Sequence, residues 1–152
     1  MSTRLVESLG HRQREITPAG FAAYLVAEVR KRYDCWCVAA LWVRHDSPYQ
    51  SIPGVVCYDV KRNAYSYRGP HPIIAHPPCG PHGRYRSHCY QDAFAGCYAL
   101  MLADVLGGVV EQPASSRLFR GGELVDQGDY GHLAVKATRL YWGAGLNLVD
   151  QW

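Results

Sequence analysis

The sequence predicts an α/β domain built on an open sheet. Three observations lead there: short apolar runs of strand length are separated by two segments of helical periodicity, polar residues stand just past the ends of those runs, and 152 residues are one domain's worth of chain. At that length roughly 70% of the unfolded chain's surface can be buried, enough for a core without covalent staples. Hydrophobic residues make up 48% and charged residues 19% of the chain, which excludes a disordered or collagen-like protein.

The first element opens at Thr17-Pro18, an N-cap followed by proline at the first helical position, where a missing N–H costs nothing. Phe21, Tyr24, Leu25, Val29 and Tyr33 then recur at helical spacing, and Arg30, Lys31 and Arg32 suit the negative end of the helix dipole. This spacing predicts an amphipathic helix over 17–33. The run 35–43 is short, apolar and rich in Val, Trp and Cys, as a buried strand is. After a turn at 45–48, Gly54 introduces a second strand over 55–60, and Ile73-Ile74-Ala75 is a third that the prolines of His76-Pro77-Pro78-Cys79-Gly80-Pro81 end abruptly. Phe94, Cys97, Tyr98, Met101, Leu102 and Val105 mark the longest helix, 91–106, with Gly107-Gly108 as its C-cap. Val109-Val110 is a strand ending at Glu111 and stopped by Pro113; 114–127 reads mostly as loop, and 139–142 as a last strand.

The longest uncharged apolar stretch, 93–103, is broken by Asp104, short of the ~20 residues of a spanning helix. The polar, mixed-charge N-terminus has no apolar signal region, so the expected location is intracellular, in the cytoplasm. The six cysteines are expected as reduced thiols rather than three bridges. The net charge of +3 is unevenly spread. Between Asp59 and Asp92 there is no acid, while Lys61, Arg62, Arg68, Arg84 and Arg86 stand among four histidines and four tyrosines. Arginine suits bidentate phosphate contacts and stacking on bases, so this segment is expected to bind DNA or a nucleotide. A merely solvated basic loop has the same composition.

Cys79 is the most informative residue. It follows a strand in a rigid Pro-Pro-Cys-Gly-Pro turn with cations after it, and a positive environment raises the thiolate fraction that a nucleophile needs. A buried inert thiol is the alternative. Glu111, at the predicted end of the next strand, is expected to emerge at the same sheet edge.

Pro77-Pro78-Cys79 followed by Glu111-Gln112-Pro113, with a helix and strand between, resembles the paired motifs of the cytosine-C5 DNA methyltransferases. The stretch 130–140 is similar to that family's later glycine-and-arginine block, and 38–142 looks like small methyltransferase-like proteins of bacteriophages and prophages. The resemblance implies a reduced Rossmann-like open sheet in a single domain, with 1–34 as an N-terminal segment carrying the amphipathic helix and 35–152 as the methyltransferase-like domain. It implies Cys79 as the nucleophile adding to C6 of cytosine and Glu111 as the partner of N3. Arg84, Arg86, His82, Gln127, Lys136 and Arg139 would contact substrate or nucleic acid, and Asp59 a cofactor ribose. The family's donor is S-adenosylmethionine, yet no glycine follows the first strand until Gly54. This predicts weak or no binding of that donor.

Two other classes of function fit the same residues. His76, Cys79, His82, His88 and Cys89 are ligand types for zinc, without the spacing of a standard finger. A non-catalytic nucleic-acid-binding or inhibitor protein that keeps the fold of a lost enzyme also accounts for the basic segment.

Overall fold

Six strands and two α-helices make up the regular structure of the described residues, which are 18–59, 61–83, 92–131 and 136–146 of a computed structural model. In chain order they are α1 (Pro18–Arg32), β1 (Val38–Leu41), β2 (Val55–Tyr58), β3 (Ile73–Ala75), α2 (Phe94–Leu106), β4 (Gly108–Pro113), β5 (Glu123–Asp126) and β6 (Ala137–Trp142). They form one open mixed sheet in the order β2-β1-β3-β4-β6-β5. The first four strands run parallel, and β6 lies antiparallel between β4 and β5.

Both faces of the sheet are covered, which is why the inner strands read as continuous apolar runs rather than alternating ones. Val38, Ala40, Ile74, Val109 and Leu140 face α1, meeting Phe21, Leu25, Val26 and Val29. Their neighbours Ala39, Leu41, Ile73, Ala75 and Val110 face α2, meeting Ala99, Leu102, Ala103 and Leu106. The 42–54 connection places Tyr49 in the α1-side core, whereas the 59–72 connection places Ala64 and Tyr67 on the α2 side. The chain thus steps outward from β1 to β2 over one face and returns past β1 to β3 over the other, as a single crossover handedness demands. The order of the strands therefore reverses between β1 and β3.

Several elements differ from expectation, for local reasons. The first strand spans only Val38–Leu41, because Asp34 and Trp42 on either side adopt left-handed backbone, φ 47° and 54°. The second stops at Tyr58, where the Asp59 carboxylate accepts the backbone N–H groups of Lys61 and Arg62 in a tight turn. The long helix begins at Phe94, whose N–H donates to Asp92. Strand β4 does not end at Glu111: beyond the end of β3 it stays paired with β6, so that Pro113 lies opposite Thr138. The stretch expected as loop contains β5, and the last strand starts two residues earlier than expected, at Ala137. Thr17, Val60 and Gln91 lie outside the described residues.

Candidate functional site

Alternation along the strands assembles a polar cluster at the carboxyl edge. Val109 and Glu111, Ile74 and His76, Leu140 and Thr138 are each two residues apart, so all three polar side chains share the α1 side of the sheet with the apolar residues beside them. Glu111 is 8% exposed. Its Oε2 lies 3.0 Å from His76 Nδ1, and its Oε1 accepts from Thr138 Oγ1 at 3.1 Å and Gln127 Nε2 at 3.2 Å. Burial pushes this carboxyl up, but the His76 hydrogen bond and charge, Lys136 and Thr138 outweigh it and hold the group below its usual value. The ionised carboxylate can only accept, so His76 Nδ1 donates. In a neutral ring His76 Nε2, 2.8 Å from the Tyr49 hydroxyl, then accepts that hydroxyl's proton, since burial first and Glu111 second keep Tyr49 protonated far above the ordinary tyrosine range. The tautomer of a neutral His76 is fixed from both sides.

The Pro-Pro-Cys turn leaves β3 immediately after His76 and is pinned to β4 twice. His76 holds Glu111, and Gln112, on the opposite face of β4, donates from Nε2 to the Pro77 carbonyl at 2.8 Å while accepting from Ser116. Cys79 itself is exposed, as is Cys97; Cys35 and Cys57 are half-buried, and burial raises both of their thiol pKa values. All five described cysteines are free.

Beside the turn, an open groove of about 590 Å³ lies across the carboxyl ends of β1, β2 and β3. Trp42, Arg44, Tyr58, Asp59, His76 and Pro78 contribute to its walls. This is the reversal of strand order between β1 and β3, the place where open α/β sheets take their ligands.

The residues singled out from the sequence fall into three groups. Cys79 lies four residues past the end of β3 and Glu111 lies within the neighbouring strand β4 rather than at its end, and Asp59 lines the groove with one carboxylate oxygen taken up by its own turn. Gln127 is buried and directed at Glu111 and Thr138, and Arg139 reaches the carbonyls of Ala114 and Gly121, so each is occupied inside the protein; Lys136 is exposed. His82 lies against Gly96, with its Nε2 buried and without a hydrogen-bond partner among the described residues. Arg84, Arg86, His88 and Cys89 lie outside the described residues. Among the described residues no group of three His, Cys, Asp or Glu side chains is arranged to hold a metal ion, and no helix is long and apolar enough to cross a membrane. Tyr49 and Thr138 belong to the site without having been singled out, and His76 joins Glu111 to Tyr49 through its two ring nitrogens. The available signal was parity: His76 and Thr138 are polar residues in step with the apolar face of their own strands. No family model, curated protein or solved structure matches the chain.

Proposed function

We propose that this protein modifies a pyrimidine base, in DNA or a nucleotide, through Cys79 as nucleophile on a reduced Rossmann-like sheet. The observation that carries this reading is the double pinning of the Pro-Pro-Cys turn to the Glu111-Gln112 pair beside a groove at the strand-order reversal. Such pinning holds an exposed thiol in one place, and orientation of this kind is a large part of what a nucleophilic enzyme supplies. S-adenosylmethionine, the donor that the resemblance implies, does not fit the residues present. The turn after β1 would need glycine for close approach, and it carries instead the Trp42 side chain on left-handed backbone, φ 54°.

The chemistry assigned to Cys79 needs only water. Its thiolate forms a bond to C6, and the C5=C6 electron pair moves onto C5 and the conjugated ring nitrogen. C5 takes a proton from water and gives up its original hydrogen to the hydroxide so formed, so this activation step exchanges that hydrogen and leaves the base otherwise unchanged. Elimination then breaks the S–C6 bond, restores the double bond and frees the thiolate. The buried cluster acts behind this step: Glu111 orients His76, and His76 fixes the start of the turn. In this reading Glu111 is a positioning residue, because both of its oxygens already accept from protein donors.

The test is release of tritium from an oligonucleotide labelled at cytosine C5. Wild-type protein is expected to release it to water, and Cys79→Ser, folded by circular dichroism, to release none. Release by both proteins, or by neither, overturns the assignment. The occupied carboxylate of Glu111 favours a second reading, a binding protein without turnover, and that reading expects oligonucleotide binding with no exchange in either protein.

A further inference from the structure

An aromatic cluster lies beside the groove, with Phe94 exposed and Trp42 and Tyr65 half-buried. Phe94, the first residue of α2, is 62% exposed although it is a large apolar side chain. Its ring stacks beside Tyr65, with centroids 6.0 Å apart and planes at 25°, and Tyr65 in turn meets the edge of Trp42 at 5.6 Å. Trp42 reaches into the wall of the groove. Its backbone is held at φ 54°, a left-handed conformation that L-residues rarely adopt and that clusters at ligand sites. The rings are held in place from behind: the Tyr65 hydroxyl donates to the Asp92 carboxylate, which also accepts the Phe94 N–H, and Arg68 bonds the Tyr65 and Tyr67 carbonyls and the Tyr98 hydroxyl.

The charge beside these rings is positive. Lys61, Arg62 and Arg68 are exposed, and the Arg62 guanidinium sits 4.5 Å above the ring of Tyr58, a groove residue. The acids nearby keep their negative charge, but each is held in hydrogen bonds or an ion pair. Asp59 accepts the N–H groups of Lys61 and Arg62, Asp46 pairs with Arg44, and Asp92 takes the two donors already named.

We propose that Trp42, Tyr65 and Phe94, flanked by Lys61 and Arg62, form a stacking track for single-stranded nucleic acid, with one nucleotide in the groove and its neighbours on the rings. This rests on the nucleic-acid reading above and adds the state of the strand. In a duplex both faces of each inner base are already stacked, so exposed rings gain nothing from it. A single strand offers free faces to the rings and phosphates to the cations, and stacking of this kind tolerates any base. A single strand also presents its target base without the cost of extrusion.

The experiment is fluorescence anisotropy on the full chain with a labelled 12-nucleotide oligothymidylate and a 12-base-pair duplex at equal salt. The single strand is expected to bind at least tenfold more tightly. Phe94→Ala, at an exposed position, is expected to weaken it by about tenfold and Phe94→Trp to restore it, in line with the loss of one stacked base. The double variant Lys61→Ala, Arg62→Ala is expected to flatten the plot of log affinity against log salt by about 1.4, the effect of two phosphate contacts on a single strand. Equal or tighter binding of the duplex, or unchanged affinity in Phe94→Ala, overturns the track. If tritium release depends on Cys79 while affinity ignores Phe94, the track falls and the base-modifying reading stands. Single-strand binding that depends on Phe94, without tritium release, upholds the track and removes the enzyme.

Discussion

Protonating Glu111 would set an O–H against either His76 on Oε2 or Gln127 and Thr138 on Oε1, and would remove the negative charge they share, in a site with little water to compensate. Because the native carboxyl titrates below its ordinary value of 4.5, the folded state binds its proton less readily than the unfolded chain. The stabilisation is therefore fully present above about pH 4.5 and is lost as the pH falls through the native value. Urea unfolding from pH 7 down to pH 3 is expected to show this loss in the wild type. Glu111→Gln sets an amide N–H against donors and leaves His76 without an anion, so it should cost on the order of 2–3 kcal/mol at pH 7 and flatten the acid limb. A variant as stable as wild type at pH 7 would show that the cluster carries no stability.

At the scale of elements, close contact between α2, β3 and β4 rests on glycine at the entry to β4. Gly108 has φ 122°, and a Cβ there would stand 2.0 Å from the Ile73 carbonyl oxygen, which is backbone and cannot give way. Gly121 has φ 74° with nothing within 4 Å. Gly108→Ala is expected to cost on the order of 3–4 kcal/mol in urea unfolding, and Gly121→Ala only about 1 kcal/mol. Equal costs would mean that backbone strain alone, and not contact with β3, sets the requirement.

The elements that were legible in the sequence are those whose signal is local. Both helices showed in the spacing of their apolar residues, and β3 in Ile73-Ile74-Ala75 between turn residues. Strand β5 was illegible because Glu123–Asp126 pairs only with β6 at the sheet's edge and leaves Leu124 exposed, so it carries no buried run. The continuation of β4 to Pro113 depends on β6, some twenty-five residues further along the chain. The same division holds in the site. Cys79 and Glu111 stood out from the residues around them, whereas Tyr49, Gln127 and Thr138 matter only through partners on other elements. Tyr49 in particular lies in a connection with turn composition, and only the crossover over α1's face buries it.

Across the whole molecule, protection should follow position in the sheet. β3 and β4 have neighbours on both edges and core on both faces, whereas β2 and β5 close the sheet at its two ends with Val56 and Leu124 turned to solvent. Hydrogen exchange under native conditions is expected to leave the amides of β3 and β4 protected longest and to release those of β2 and β5 first. Protection in β5 as long-lived as in β4 would mean that the β5-β6 pair opens only with the rest of the sheet.

The placement of β6 also sets a rule for biosynthesis. β5 leaves the ribosome before the strand that joins it to the sheet, and Glu111 waits for Thr138 on that same strand. A nascent chain cut before Ala137 therefore has neither a seat for β5 nor a finished polar cluster, whatever its first four strands have done. A chain truncated there is expected to expose the edge of β4 that β6 covers, and to be cut by protease faster than the full chain.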